Sequence, residues 1–268
     1  MGLRLALPVL LLPLSLGTTG ASAVASPSAG AQPVIQVDSH GGFVPVEIVQ
    51  GNVPEVTVTT DGRVITKNEG GAFDRMTRLR VAQIDDERIQ ELLDEAREIG
   101  LLDDDSRDYG SPGVTDMTDT TLTITVGDKT FSTTVYALSF ASNDLSAEQR
   151  ANREALQAFI NDVRDASPRR PYEMKRLAVL ATSVLADPVA DGAATVVEWP
   201  LDDLATAGES AQLAERCFIV SGDDLDAVLP LARRARFGTL WRSAESDWRL
   251  VFRPLLPHER TCEDIDAF

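Results

Sequence analysis

The chain has 268 residues, of which 43% are hydrophobic and 25% are charged, and its formal net charge is −17 at pH 7. Such a composition is typical of a folded globular protein rather than of a disordered chain. A surface this negative repels phosphate backbones and anionic lipid head groups. We therefore predict no nucleic-acid partner, and the length allows one large domain or two small ones.

Residues 1–25 have the features of a secretory signal peptide. Arg4 is the only charged residue before Asp38, and residues 5–16 form an almost entirely apolar run. Small residues follow this run and provide overlapping A-x-A cleavage sites. A charged start, a short apolar core and a small-residue cleavage site together predict export.

The alternative interpretation of this segment is a membrane anchor. A spanning helix needs about 20 consecutive apolar residues, whereas this run is shorter and contains Pro8 and Pro13. We expect cleavage after Ala23 or Ala25. The mature protein is then expected to be secreted, soluble and extracellular, with no membrane insertion once the signal peptide has been removed.

Cys217 and Cys262 are the two cysteines of the chain. In an oxidising compartment two cysteines most often pair, so we predict a disulfide between them. The alternative is a metal site, because His258 precedes Cys262 by four residues. Structural zinc usually needs four ligands, and the other histidine, His40, is distant in sequence. The pattern therefore favours a disulfide and no metal.

The first elements in chain order are a flexible leader and a hairpin. Residues 26–33 are small, polar or proline, as is typical of a leader, and regular structure is expected to begin near Val34. Residues 56–60 and 63–66 are β-formers that flank an Asp-Gly pair at 61–62. Asp-Gly between two such runs predicts a hairpin, because a type I′ turn requires positive φ.

Two helices and a second hairpin follow. Asp85 is the predicted N-cap of a helix that ends at Gly100, and Ser146 with Gln149 forms the capping box of another helix. Between the helices, residues 121–138 alternate around a Gly-Asp turn and predict a hairpin. The apolar positions at helical spacing are Ile89, Leu92, Leu93, Ala96 and Ile99 on the first helix and Leu156, Phe159, Ile160 and Val163 on the second.

Residues 167–171 place two prolines around charged residues, a pattern typical of a linker. They divide the mature chain into an N-terminal domain at 34–166 and a C-terminal domain at 172–268. The second domain contains predicted strands and a helix capped by Asp223 or Asp224. We therefore expect an α+β fold in which helices pack on antiparallel sheets, arranged as two modules of similar size.

Residues 42–138 resemble a bacterial domain family of unknown function that occurs in exported actinobacterial proteins. The matching segments are Asp61-Gly62, Gly100-Leu101-Leu102, residues 116–121 and residues 122–126. The Gly-Cys-rich opening of that family is absent, since the segment at 41–43 contains no cysteine. The resemblance implies an α+β module in an exported protein and implies no catalytic residue.

Candidate catalytic groups are few. Nucleophilic hydrolysis requires a nucleophile, a base and an oxyanion site, and the chain contains no G-x-S-x-G motif. We interpret both histidines, His40 and His258, as solvated loop residues. The many carboxylates leave a carboxylate-dependent hydrolase open, although no pair is distinguished as the two facing acids that such an enzyme needs.

The remaining candidate ligand sites are an acidic segment at residues 103–110 and three tryptophans. An EF-hand loop beginning at Asp104 would have Tyr109 in place of the required glycine and Thr115 in place of the required glutamate. The segment therefore does not match a calcium loop. The tryptophans lie near or on predicted strands, where such residues are more often core than groove; they are Trp199, Trp241 and Trp248.

We predict no catalytic, cofactor-binding or metal-binding residue in this chain. The leading interpretation is a secreted, non-catalytic binding or cell-surface interaction protein whose partner is an unidentified protein or a cell-wall component. The alternatives are a secreted carboxylate-dependent hydrolase and a protease inhibitor. Secreted inhibitors are also small, disulfide-bearing and sheet-based, but no exposed, disulfide-braced loop is evident from the sequence.

Overall fold

The computed structural model describes residue 2 and residues 31–68, 76–103, 107–184, 195–212 and 214–265. The predicted signal peptide, apart from residue 2, and most of the predicted leader lie outside the described residues. The described part of the chain forms four helices and twelve strands in two sheets, so the predicted α+β class is confirmed. No helix in this part is long and apolar enough to cross a membrane.

The first sheet has seven antiparallel strands in the order β6-β5-β1-β2-β3-β4-β7. The strands are β1 (Pro33–Gly41), β2 (Val56–Thr59), β3 (Arg63–Asn68), β4 (Arg78–Gln83), β5 (Thr118–Val126), β6 (Lys129–Tyr136) and β7 (Arg170–Pro171). The interior strand β1, which lies between β5 and β2, begins at Pro33, the last residue of the predicted leader. β7 pairs with β4 and consists of two residues of the predicted linker, so that segment is an edge strand of this sheet.

Helices cover one face of the first sheet. They are α2 (Asp86–Glu98) and α3 (Ala147–Arg164), and their predicted caps are present. Asp85 accepts a hydrogen bond from the amide of Arg88 at 2.9 Å, and Ser146 forms the complete capping box. Every predicted stripe residue belongs to or packs against one apolar core between these helices and β1, β2, β3 and β5.

The hairpin of β2 and β3 differs from the predicted type I′ turn. Its loop has three residues, 60–62, because Val58 pairs with Val64. Gly62 alone in this loop has positive φ, at 78°, whereas a type I′ turn needs two such residues. The glycine is required there, since a Cβ would lie 2.2 Å from the carbonyl oxygen of Ile84.

The second sheet has five strands in the order β10-β8-β12-β11-β9. The strands are β8 (Arg176–Ser183), β9 (Val196–Glu198), β10 (Arg216–Ser221), β11 (Leu240–Ser243) and β12 (Ser246–Pro254), and only β9 and β11 pair in parallel. Helix α4 (Gly222–Ala232) packs on this sheet. It begins one residue before the predicted caps, so Asp223 and Asp224 lie in its first turn instead.

The second half of the chain packs against the face of the first sheet that the helices leave uncovered. A separate apolar cluster there contains Val53, Ile65, Leu79, Val81 and Leu256, with Tyr172 against it. The Tyr172 hydroxyl donates to the carbonyl of Leu255 at 3.1 Å. Residues on both sides of the predicted linker therefore share buried contacts.

Candidate functional site

The predicted disulfide is present and joins Cys217 on β10 to Cys262 in the C-terminal segment. The S–S distance is 2.02 Å and the Cα atoms are 6.1 Å apart. Both cysteines are buried in an apolar cluster with Leu180, Val251 and Leu255. The bridge fastens the chain after β12 to the second sheet, so neither thiol is available as a nucleophile or a metal ligand.

The histidines are less solvated than the sequence suggested. His40 lies on β1 and His258 in a turn after β12, and both are half-buried. Burial lowers the pKa of His258. The Nδ1 atoms of both rings are buried without a hydrogen-bond partner among the described residues. No described residue therefore orients either ring through Nδ1, as the acid of a Ser-His-Asp triad does.

The tryptophans form core contacts rather than a binding groove. Trp241 stacks edge-to-face with Trp199 at 5.9 Å and with Phe252 at 5.3 Å between ring centroids. Trp248 is buried in the same cluster. The interpretation of these residues as core is confirmed.

The acidic segment supports the start of α3. Residues 104–106 lie outside the described part of the chain. Asp108 accepts from the Gly110 amide at 2.8 Å and from the Gln149 side chain at 2.9 Å, and the Gln149 bond holds the pKa of Asp108 below its usual value. Across the described ranges, no three His, Cys, Asp or Glu side chains lie close enough together to hold a metal ion.

A broad depression of about 740 Å³ lies where β1 begins and α2 starts. Its lining includes Val34, Ile89, Leu93 and Val126, and Asp86 is the one carboxylate among the described lining residues. A glycosidase-type mechanism needs two carboxyl groups across the substrate. This depression does not supply that pair.

A polar network occupies the other end of β1, and Asn52 is its centre. The Asn52 amide donates to the carbonyl of Ser39 at 3.0 Å and accepts from Nζ of Lys67 at 2.9 Å. The Ser39 hydroxyl donates to Glu55, whose other oxygen pairs with Arg164 at the end of α3. One loop residue thus connects β1 to β3.

A buried ion pair links this network to the second sheet. Arg253 on β12 is 2% exposed and makes two bonds of 2.8 Å to the carboxylate of Glu259, which is 3% exposed. The Arg253 Nε donates to the backbone carbonyl of Asn52 at 2.7 Å, and Glu259 also accepts from the Leu256 amide at 2.6 Å. All of these donors and acceptors are paired, as a buried charge requires.

Asp38 is a buried carboxylate of this region whose hydrogen bonding is incomplete among the described residues. Its carboxylate is buried on β1, one oxygen accepts from Gln36 at 3.1 Å, and the other has no partner among the described residues. Burial raises the pKa of Asp38, and the Gln36 hydrogen bond and the charges of Arg253 and His40 only partly offset this. Burial also lowers the pKa of Lys67, against the opposing charge of Asp38.

The segment between β1 and β2 exposes an unusual set of apolar side chains. Phe43 is 93% exposed, and the others with it are Val44, Val46 and Ile48, each between 43% and 50% exposed. Helix α1 (Val46–Gln50) buries the polar Gln50, whereas Val46 and Ile48 are exposed and Val49 is half-buried. We call these four side chains the apolar loop surface.

Acidic residues border the apolar loop surface. Glu47 lies within it, and Asp119 and Asp116 lie beside the two glycines that precede Phe43. A Cβ on Gly42 would lie 3.4 Å from the carbonyl oxygen of Asp116, so the chain passes close to the start of β5. The surface is therefore apolar at its centre and negative at its edge.

A cationic cleft of about 460 Å³ lies at the end of α3. Its lining residues are Glu55, Thr66, Lys67, Asn68, Arg80, Arg164 and Arg169. Positive residues outnumber negative ones there by three, whereas the whole chain has a net charge of −17.

Sequence reasoning missed the polar network, the apolar loop surface and the cationic cleft. The network joins Asn52 to Arg253 across 201 residues, a separation at which no local spacing rule applies. The apolar loop surface did have a signal in the sequence, because the apolar run Phe-Val-Pro-Val at 43–46 lies between two strands, where a loop is normally polar.

No family model, no curated protein and no solved structure matches this chain.

Proposed function

We propose that this chain is an exported, non-catalytic binding protein that contacts a partner protein through the apolar loop surface. The observation that carries the proposal is the burial of Gln50 on helix α1 while Val46 and Ile48 of the same helix are exposed. Burying the apolar side chains of a short helix stabilises the folded state. Exposing them instead is typical of a surface that is buried in a complex.

The negative charge at the edge of this surface indicates the charge that a complementary partner should carry. Glu47, Asp116 and Asp119 would face the rim of the interface, so a partner with an apolar pocket and a basic rim is complementary. A second copy of this chain would bring two negative surfaces together, and an anionic lipid surface would be repelled in the same way. We therefore assign the surface to a different protein with a basic rim.

The other parts of the proposal rest on the sequence and on the disulfide. The bond between Cys217 and Cys262 supports export, because disulfides persist in oxidising compartments. Residues 1–25 and the resemblance of residues 42–138 to a domain of exported actinobacterial proteins support the same destination. We further propose that residues 34–166 and 172–268 form two modules of similar size.

The experiment uses the mature chain as bait in the producing culture, followed by reconstitution with the purified partner. The double variant Phe43→Ser/Ile48→Ser should weaken binding by at least about tenfold, since apolar anchors carry most interface free energy. Phe237→Ser is the matched control, because Phe237 is an exposed phenylalanine in the loop between α4 and β11. Equal affinity of the wild type and the double variant would refute the proposal, as would self-association as the only complex.

A protease inhibitor is the second candidate, because the fully exposed Phe43 could enter the pocket of a chymotrypsin-like or subtilisin-like protease. A substrate-like loop is extended, however, and Gly41 and Gly42 both have positive φ, at 76° and 77°, which bends the chain just before Phe43. Unchanged activity of both protease classes after incubation with a stoichiometric amount of this protein would eliminate the candidate.

A further inference from the structure

Among the described residues that line the cationic cleft at the end of α3, Glu55 is the one carboxylate, and each of its two oxygens already has a partner. One oxygen of Glu55 accepts from the Ser39 hydroxyl and the other pairs with Arg164. Glu55 therefore pairs with Arg164, and the described lining offers no second carboxylate to the remaining cations.

Backbone carbonyls hold the other two arginines in place. Nη2 of Arg80 donates to the carbonyl of Arg169 at 2.7 Å. Nε of Arg169 donates to the carbonyl of Ala166 at 3.0 Å, and its Nη2 donates to the carbonyl of Arg164. No described carboxylate forms an ion pair with Arg80 or Arg169. Neutral acceptors thus orient two guanidinium groups without cancelling their charge.

Burial destabilises two cations of the cleft, and a neighbouring positive charge adds to this effect for one of them. Burial lowers the pKa of Arg164, and the nearby charge of Arg169 lowers it further. Burial lowers the pKa of Lys67 as well. Each shift reports a positive charge that is less stable here than in water, and an anion in the cleft would relieve it.

We infer that the cationic cleft is a binding site for a phosphate group, carried by a small molecule or present as inorganic phosphate. An arginine uses a planar set of five donors, which suits the oxygens of phosphate better than a single point charge does. The volume of about 460 Å³ leaves room for a small organic part beside the phosphate. This inference is independent of the proposed partner surface.

Neighbouring acids limit the ligand to a small one. A shallow depression beside the cleft is lined by Asp162 and Asp165 together with Arg164 and Arg169. Asp162 already pairs with Arg88, but both carboxylates would repel a second phosphate. A long polyanion is therefore excluded by charge, whereas one phosphate group within the cleft is not.

Isothermal titration of the mature protein with inorganic phosphate, at an ionic strength matched with chloride, tests the inference. The wild type should bind one phosphate, and Arg80→Gln/Arg169→Gln should weaken that binding by about tenfold or more. Arg249→Gln, which removes an exposed arginine of β12 outside the cleft lining, should bind phosphate as the wild type does. Glycerol 3-phosphate in a second titration separates a phosphorylated small molecule from the free ion as the preferred ligand.

Two results would overturn the site. One is the absence of phosphate binding to the wild type; the other is equal binding by the wild type and the double variant. If the double variant does not fold, NMR of the wild type provides the independent measurement. Phosphate is added stepwise, and the chemical shifts of backbone amides around the cleft should change until the site is saturated. Shifts confined to residues around Arg80 and Arg164 are expected, and shifts elsewhere or none would refute the site.

Discussion

At the scale of single residues, the most consequential group is the buried pair of Arg253 and Glu259. Both side chains are almost fully buried, and their two bonds are parallel and each 2.8 Å long. A buried pair of this kind adds little over apolar residues of the same size, but breaking it leaves one uncompensated charge in the interior. Arg253 also bonds to Asn52, so its position determines how the two sheets meet.

We predict that Glu259→Gln lowers the free energy of unfolding by about 3–5 kcal/mol, because the Arg253 charge would stay buried without its counter-charge. Urea denaturation of both proteins measures the difference. Asp247→Asn is the matched control, since Asp247 pairs with Arg242 on the solvent-exposed side of the second sheet. Asp247→Asn should lower the free energy of unfolding far less than Glu259→Gln does. Equal losses of stability in the two variants would contradict the account.

Asp38 predicts a pH dependence of stability with a definite sign. Its pKa is raised in the folded protein, so the folded state binds the proton more tightly than the unfolded state does. Stability from this group is therefore fully present below the unfolded value of 3.8 and is lost as the pH rises through the folded value. Several other charged groups interact with this carboxylate, so the experiment must isolate the effect of Asp38. These groups are Lys67, Arg253, His40 and Glu259.

The comparison is between the wild type and Asp38→Asn, with unfolding free energies measured from pH 3 to pH 7. The difference between them removes the contribution of the shared groups. We expect the wild type to lose stability relative to Asp38→Asn as the pH rises, because only the wild type must ionise a buried carboxylate. A constant difference, or a relative gain with rising pH, would show that the pKa of Asp38 is not raised.

At the scale of elements, local signals predicted most of the first half of the fold. Asp85, Ser146 and Gly100 determine helix ends through contacts within a few residues, and these were predicted correctly. The position of the turn after Thr59 was predicted correctly, but its type was not. A three-residue loop and a two-residue loop share the same Asp-Gly signal, and the register of the strands decides between them.

Elements stabilised by distant residues were predicted poorly. β1 is an interior strand of the first sheet, yet Gln36, Asp38 and His40 make its sequence only partly apolar. The charge of Arg253, which follows β1 by more than 200 residues, acts on the buried Asp38 of this strand. The helix α1 was not predicted, because apolar residues facing solvent give no amphipathic pattern pointing at a core.

The disulfide is the element-scale feature with the clearest measurable effect. It closes a loop with a sequence separation of 45 between β10 and the C-terminal segment. We predict that Cys217→Ala/Cys262→Ala lowers the free energy of unfolding by about 4 kcal/mol in the chain-entropy model. Thermal denaturation of the oxidised wild type, the reduced wild type and the variant measures it. A reduced wild type as stable as the oxidised one would contradict the prediction.

At the scale of the whole molecule, the two sheets share buried contacts across the predicted linker. The cluster of Ile65, Val81 and Leu256 and the bond between Arg253 and Asn52 both cross from one sheet to the other. The sequence indicated a linker at 167–171 because prolines around charges are typical of one. It could not indicate that Arg170 and Pro171 pair with β4, since that pairing depends on tertiary position.

These shared contacts predict that the mature chain unfolds in a single cooperative transition. Separating the sheets would expose the apolar cluster and the Arg253 charge together, so neither half unfolds alone at low cost. Differential scanning calorimetry tests this through the agreement of the calorimetric and van't Hoff enthalpies. Two resolved transitions would show that the halves are thermodynamically independent.

The central claim is that the apolar loop surface contacts a partner protein. A photo-cross-linking amino acid at Phe43 in the producing culture tests this claim most directly, with the same substitution at the exposed Phe237 as the control. We predict a discrete covalent adduct with one protein from position 43 and none from position 237. No adduct from position 43, or the same adducts from both positions, would contradict the claim.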